Sequence, residues 1–355
     1  MAEVDFDLLF PKAQSRLITV RHALAEIRGG QAIEPTPVRE TDKMAMFMAK
    51  VPQGKSAGDY LKSGYQWVKA SWDKPCPTII KNVTWGKYHF IWHPTEHRNF
   101  NSRELARLQS FPDNFEFVGT YSDIVGRIGN SVPPLLMRAI AARISEVMFD
   151  KKPWQPDSKI NYPAILAEAW QQHLAPREAD APTVVSTFAG CGGSSLGYSM
   201  AGYRELLAVE WDDNAVQTFR LNFPGVPVYH GDIAKLSVGQ CLSMTGLEPG
   251  QLDVLDGSPP CQGFSTAGKR QMDDPRNSLF REFVRLLRGL RPRAFVMENV
   301  SGLVKGKMKL VFAEIMRELK ASGYKVKCRL LNAMYYNVPQ SRQRLIWVGI
   351  REDLG

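Results

Sequence analysis

Apolar residues recur with two different periods along this chain, and the change of period divides it. From residue 183 onward, short apolar runs alternate with stretches in which apolar positions return every three or four residues, the pattern of strands alternating with helices. The runs at 184–188, 206–210, 254–257, 294–297 and 345–350 predict strands, and 280–290 and 309–319 predict crossover helices between them. A glycine-rich turn follows the first strand and leads into a helix ending near Met200. Such alternation specifies a doubly wound α/β sheet. Ahead of it, Leu135, Leu136, Ala139, Ile140 and Ile144 share one face of a helix predicted over 134–148. Asn101 followed by Glu104 is a capping box for a helix over 103–109. Residues 150–182 hold Pro153, Pro156, Pro163, Pro176 and Pro182 and read as a linker, interrupted by a short amphipathic helix at about 164–173. The first hundred residues are rich in Trp, Tyr, Lys, Gly and Pro, with β-like pieces at 77–80 and 88–92. No internal repeat or low-complexity tract interrupts the 355 residues.

Composition narrows the class. Hydrophobic residues make up 44% and charged residues 23%, a globular balance. No apolar run approaches the roughly 20 residues of a membrane span, so no membrane partner is expected. The first ten residues carry acidic side chains and lack a basic region before an apolar stretch, unlike a secretory signal, so the expectation is a cytoplasmic protein. The formal charge of +9, from 45 basic and 36 acidic residues, favours a polyanionic partner, although a basic surface also serves solubility. Five cysteines, Cys76, Cys191, Cys241, Cys261 and Cys328, are odd in number and scattered, which disfavours a disulfide framework or a zinc site and leaves one reactive thiol open. His89, His93 and His97 are spaced by four, but Pro94 and β-type neighbours break the helix such a metal site would need. No metal is expected.

Two segments carry candidate chemistry. In the turn FAGCGG at 188–193, Gly190 and Gly192 permit a tight bend and close approach of backbone N–H groups to a ligand. The match to a dinucleotide fingerprint is incomplete, because Ser195 stands where another glycine belongs. Glu210 closes the next strand about twenty positions on, where a carboxylate can grip ribose hydroxyls. Trp211 beside it offers a flat face to an adenine ring. No Gly-Lys-Ser/Thr follows, which disfavours an NTPase. The second segment is GSPPCQGFS at 257–265. It leaves a strand at the carboxyl end of the sheet, where α/β proteins bind ligands. Cys261 sits there between a Pro-Pro pair and a glycine, in a polar setting that favours a reactive thiol over a buried one.

These segments resemble the DNA cytosine-5 methyltransferases. SPPCQGFS is similar to that family's nucleophile block, STFAGCGGSSLG to its cofactor loop, MENV at 297–300 to its ENV block and QSRQR at 340–344 to its QxRxR block. LQSFPD at 108–113 and IGNSVPP at 128–134 resemble the two blocks that ordinarily close the family's sequence. Here they come before the cofactor loop. The resemblance therefore implies a Rossmann-like S-adenosylmethionine-dependent methyltransferase fold with a smaller target-recognition domain, in circularly permuted order, the ancestral ends being joined through 150–182. The implied division is a small domain over 1–98 that begins with a continuation of the catalytic domain, catalytic segments at 99–149 and 183–355, and the linker between them.

The resemblance also implies roles. Cys261 would add as thiolate to C6 of cytosine, Glu298 would bond or protonate N3, Arg344 would hold O2, and Arg342 would support the loop or a phosphate. Phe188, Gly190, Gly192, Gly193, Glu210, Trp211, Asp232, Ile233, Pro260, Asn130, Ser131 and Val132 would surround S-adenosyl-L-methionine. Gln262, Ser265, Lys269, Arg270 and Arg276 would meet double-stranded DNA, from which the target base must be flipped out. The stretch 54–74, with Tyr60, Tyr65, Trp67, Trp72, Lys55, Lys62, Lys69 and Lys74, is a candidate for groove contacts; an aromatic-cored hairpin with solvated lysines would read the same. A monomer in a restriction–modification or similar prokaryotic or phage setting is the family-like expectation. The rivals are a tRNA-directed relative, whose Cys-Phe-Thr motif is absent, and a silent DNA-binding homologue.

Overall fold

The computed structural model describes residues 5–27, 32–38, 43–61, 67–81, 83–84, 88–151, 161–260 and 278–354. Its centre is a seven-stranded sheet built entirely from the second half of the chain: β1 (Thr183–Thr187), β2 (Arg204–Glu210), β3 (Val228–His230), β4 (Val254–Gly257), β5 (Ala294–Val300), β6 (Tyr324–Asn332) and β7 (Gln343–Arg351). The spatial order is β6-β7-β5-β4-β1-β2-β3. Strands β1 to β5 pair in parallel, whereas β7 runs antiparallel to both β5 and β6. The chain winds outward from β1 to β3, then returns across β1 to β4. That reversal opens a crevice beyond the carboxyl ends of β1 and β4.

Alternation along the strands feeds two cores. On one face Val184, Val254, Val296 and Ile346 are buried with Leu196 and Tyr198. On the other, Val185, Leu255, Phe295 and Leu345 are buried with Leu286, Leu287, Ile315 and Leu319. The second face is covered by the crossover helices Ser278–Leu290 and Lys309–Lys320. The first carries helices from before the sheet: α1 (Ser102–Leu108), α2 (Tyr121–Asn130), α3 (Pro134–Phe149) and α4 (Tyr162–Leu174), with α5 (Gly193–Met200) leading out of the β1 turn. Helices α3 and α5 touch backbone to backbone at Gly197, where an added Cβ would lie 2.6 Å from Met137 Cβ and 2.7 Å from the Pro134 carbonyl. The expected capping box starts α1, with Asn101 Oδ1 accepting from Glu104 N at 3.0 Å and Glu104 Oε2 from Asn101 N at 2.8 Å.

Two strands escape the sequence reading. β3 is three residues long, and β6 alternates Lys325, Lys327 and Arg329 along the free edge of the sheet, where unpaired backbone groups are guarded by charge instead of burial. Before residue 100 the strands are two residues each: Val68–Lys69 pairs in parallel with Ile91–Trp92, and Val83–Thr84 forms a hairpin with Tyr88–His89. A separate cluster of Ala45, Met48, Val51, Ala57, Trp67 and Trp92 lies beneath them.

Within the stretch read as a linker, helix α4 is docked on the core. Tyr162, Ile165, Leu166 and Ala169 of α4 are buried, and Tyr162 donates its hydroxyl to the Arg107 carbonyl at 3.0 Å. Beyond the helix, Arg177 donates to the carbonyls of Gln172, His173 and Tyr203 at 3.0, 2.8 and 2.9 Å, and to Ser199 Oγ at 2.6 Å. One guanidinium thus closes the end of α4 onto α5 and the start of β2. Replacing Arg177 with Ala strands those acceptors and is expected to cost about 2 kcal/mol, read as a lower melting temperature in thermal denaturation; an unchanged melt would mean the linker is not held there.

Candidate active site

The β1 turn is shaped by backbone conformations that few side chains tolerate. Phe188, Gly190 and Gly192 all have positive φ, at 54°, 57° and 97°. A Cβ on Gly192 would lie 2.4 Å from the Phe223 ring, and one on Gly193 would lie 2.6 Å from the Val132 carbonyl. Gly190 faces open space, with no atom within 4 Å of its would-be Cβ. Glu210, last in β2, ties this turn down: Oε2 accepts from Gly190 N at 2.7 Å, and Oε1 from Trp211 N and Asp212 N at 2.9 and 3.0 Å. A carboxylate has about four lone-pair sites, so room remains for a hydroxyl. Trp211 projects beside it, 75% exposed, an unusual state for an indole on a folded surface. Asp232 is exposed and caps the turn at Ile233–Lys235 by accepting from Ala234 N at 3.0 Å, while Ile233 is buried.

The segment 130–132 reaches the same turn from the far side. Ser131 Oγ lies 3.2 Å from Cys191 Sγ, and Val132 backs Gly193. Asn130 is exposed. The Ser131 carbonyl accepts from Gln109 Nε2 at 2.7 Å and from Arg342 at 3.1 Å. Arg342 also donates to the carbonyls of Ile79 at 2.9 Å and Gly129 at 2.7 Å. Gln340, wholly buried, accepts from Ile79 N at 3.0 Å and donates to Gln109 Oε1. Arg342 is 1% exposed, and burial pushes its pKa down to about 9. Of its two expected roles, loop support fits this placement and phosphate contact does not. Gln109 and Gln340 were not singled out from the sequence, although both lie in segments that were.

At the other wall of the crevice, the antiparallel register sets Arg344 opposite Val300 and Ile346 opposite Glu298. Arg344 Nε meets Glu298 Oε1 at 2.7 Å, with both side chains about nine-tenths buried. The next residue, Asn299, points the other way and donates to the Pro259 carbonyl at 3.0 Å, two positions before Cys261. Pro260 is exposed. Cys261, Gln262, Ser265, Lys269, Arg270 and Arg276 lie outside the described residues, as do Lys62 and Tyr65.

Elsewhere the expected groove aromatics pack inward. Trp67 is buried with its ring 6.0 Å from that of Trp92, and Trp72 sits edge-on to His93 at 5.2 Å. The aromatic-cored alternative is the one these rings adopt. Tyr60 remains 53% exposed. His89 is buried and its pKa falls to about 4 through desolvation, with its ring nitrogens beside Ile80 O and Ile91 N at 3.2 Å each. Among the described residues no group of three His, Cys, Asp or Glu is placed to hold a metal ion, and no helix is long and apolar enough to cross a membrane.

A family model described as C-5 cytosine-specific DNA methylase matches residues 21–146 and 183–355. Similar curated proteins include the Type II methyltransferase M.DdeI of Desulfomicrobium norvegicum, 45% identical over 48% of this chain and 41% of its own length. The Type II methyltransferase M1.HphI of Haemophilus parahaemolyticus is 44% identical over 49% of this chain and 46% of its own. The matches thus span less than half of either relative. Among solved structures, Spodoptera frugiperda DNMT2 aligns with 25% identity over 49% of this chain and 51% of that one, at a TM-score of 0.41.

Replacing Arg342 with Ala removes the side-chain donor from the Ile79 and Gly129 carbonyls and leaves Ser131 O with Gln109 alone, and is expected to cost about 3 kcal/mol. Thermal denaturation reads the loss, and Arg342→Lys is expected to recover only part of it because an ammonium lacks the planar fork. A variant as stable as the parent would remove the support role.

Proposed function

The chain belongs to the C-5 cytosine-specific DNA methylase family, and we propose that it methylates C5 of a cytosine in double-stranded DNA, with S-adenosylmethionine as methyl donor and Cys261 as covalent nucleophile. The observation that carries this reading is the pairing of Glu298 with Arg344 on one wall of the switch-point crevice, opposite the 188–193 turn. C5 of cytosine is a weak nucleophile, and activating it requires addition at C6 together with relief of the charge that builds on the ring. Cys261 supplies the thiolate. Glu298 would meet N3 and Arg344 would meet O2; their pairing at 2.7 Å supports this, since a carboxyl and a guanidinium side by side suit one edge of a flat base. Asn299 holds Pro259 and so fixes where the run to Cys261 leaves the sheet.

The residues around the turn fit the methyl donor. The open space over Gly190 and the uncovered face of Trp211 suit a nucleoside. Glu210, Asp232 and Ile233 would hold its ribose and adenine, and Phe188, Gly192, Gly193, Pro260 and Asn130–Val132 its remaining parts. Bound there, the donor supplies an electrophilic methyl group. The protein's part is to orient it and to keep the cytosine edge polarised. The reactive carbon lies inside a base stack, so the nucleotide is extruded at a cost of a few kcal/mol, offset by contacts from basic residues such as Lys269, Arg270 and Arg276 to phosphates.

We further read the chain as circularly permuted, with α3 preceding the cofactor turn in sequence yet packing on α5, which follows it. The Type II names of the relatives support a restriction–modification setting.

The test is transfer of labelled methyl from S-adenosylmethionine to mixed-sequence duplex DNA and to bulk tRNA. Label is expected in DNA at 5-methylcytosine, abolished by Cys261→Ala and reduced about 10²- to 10⁴-fold by Glu298→Gln. Label on tRNA alone, or on neither polymer, would overturn the reading.

A further inference from the structure

A buried carboxyl without a cation stands one residue from the crevice. Asp256, near the end of β4, is 2% exposed. Its Oδ2 accepts from Ser194 Oγ at 2.6 Å and its Oδ1 from Tyr198 OH at 3.3 Å. Its carbonyl accepts from Thr187 Oγ1 at 2.9 Å, locking the ends of β1 and β4 together. Register sets it beside Ser186 of β1 and Val296 of β5, on the sheet face that α5 covers. The ionisable groups facing it are Tyr198 from α5, Glu298 from β5 and, two strand positions deeper, Glu205 of β2. None is a cation, and among the described residues no lysine, arginine or histidine forms an ion pair with it. Buried carboxyls are ordinarily paired or absent. This one is kept where β1 and β4 release the two runs that bracket the crevice, the 188–193 turn and 258–260.

We infer that Asp256 is a positioning residue for charge, whose anion is completed by the sulfonium of S-adenosylmethionine and left unmatched by the neutral thioether of S-adenosylhomocysteine. The inference rests on the cofactor assignment above. On that assignment the methyl group must lie between the 188–193 turn and the run to Cys261, hence over the carboxyl ends of β1 and β4. Ser194 links the two sites: it is the second residue of α5, directly after the Gly192–Gly193 bend, and its hydroxyl is spent on Asp256. The first turn of α5 adds a partial positive charge that favours the anion, yet burial outweighs it and raises the Asp256 pKa to about 7. Near neutral pH the free protein therefore holds the carboxyl partly protonated. Arrival of the sulfonium favours the ionised form, and the proton leaves to solvent. Loss of the methyl to substrate removes the positive charge, and Asp256 takes a proton back. The same carboxyl thus favours the donor over the spent product.

Linkage fixes the sign. Binding that releases a proton tightens as pH rises through the free-state pKa, so S-adenosylmethionine binds more tightly at pH 8 than at pH 6, and S-adenosylhomocysteine gains nothing from Asp256. Titration calorimetry of the full chain with each ligand, at both pH values and in two buffers of different ionisation enthalpy, reads affinity and proton release together. The donor's own amine contributes identically to wild type and variant, so their difference isolates the carboxyl. Asp256→Asn, which keeps the shape and one of the two acceptor oxygens, is expected to erase a preference for donor over product on the order of fivefold that grows with pH. Tyr198→Phe removes one donor to the anion and is expected to move the midpoint of the pH dependence upward. Glu205→Gln serves as control: burial lifts that carboxyl to about 8, it carries little charge at neutral pH, and the preference should survive its replacement. Equal pH dependence in wild type and Asp256→Asn, or equal effects on both ligands, overturns the inference. Absence of binding by either ligand to the wild type instead overturns the cofactor reading beneath it.

Discussion

The carbonyl oxygen of Ser131 accepts hydrogens from two buried side chains, Gln109 and Arg342, which lie more than two hundred residues apart in sequence. Around it, Gln340 and Arg342 saturate the backbone of Ile79 and Gly129. Because a stranded polar group inside a protein costs about 1–3 kcal/mol, none of these segments can adopt its conformation alone. The end of α2, residues 76–81 and the entry to β7 become one rigid wall. The Asn130–Val132 backbone, pressed against Gly193, inherits that rigidity and passes it to the turn where β1 ends. Polar closure at these atoms thus adds to the apolar core that Ile79, Leu108, Ile128, Val132 and Val338 share.

Three parallel strands carry a carboxylate at or near the carboxyl end, and each is given a different environment. Glu210 of β2 accepts backbone amides, Glu298 of β5 faces a guanidinium, and Asp256 of β4 meets, among the described residues, only hydroxyls. Carboxylates near the ends of strands in one sheet thus meet different surroundings: the first ties down a loop, the second pairs with Arg344, and the third is met by Ser194 and Tyr198 hydroxyls. The divergence comes from what α5, β7 and the loop backbones present to each strand end, not from the strands themselves.

Much of this was legible in the sequence. The central strands β1, β4, β5 and β7 are buried on both faces and read as continuous apolar runs, and the Asn101–Glu104 cap announces α1. Of the crevice residues, Glu210 was marked by its place at a strand end, and Glu298 and Arg344 by the resemblance of the MENV and QSRQR segments to family blocks. What escaped did so for physical reasons. β6 hides because its alternation is between lysine or arginine and apolar residues on an exposed edge. Arg342 resembles any surface arginine until the three carbonyls it serves are brought together by tertiary contacts. Trp67 and Trp72 could be read either as groove contacts or as core, since an exposed and a buried tryptophan leave the same trace in a short irregular segment. Asp256 carries no pattern at all; only the absence of a cation around it makes it unusual.

The order of the elements has a consequence for how the chain comes off the ribosome. Helix α3 presents Leu135, Leu136, Ile140 and Ile144 to a core whose sheet is built from residues 183–351. At about 5–20 residues per second, the roughly 200 residues still to be made leave that apolar stripe uncovered for on the order of 10–40 s. Synthesis speed and chaperone occupancy thus bear on the yield of folded protein, because the scaffold these helices need is made after them.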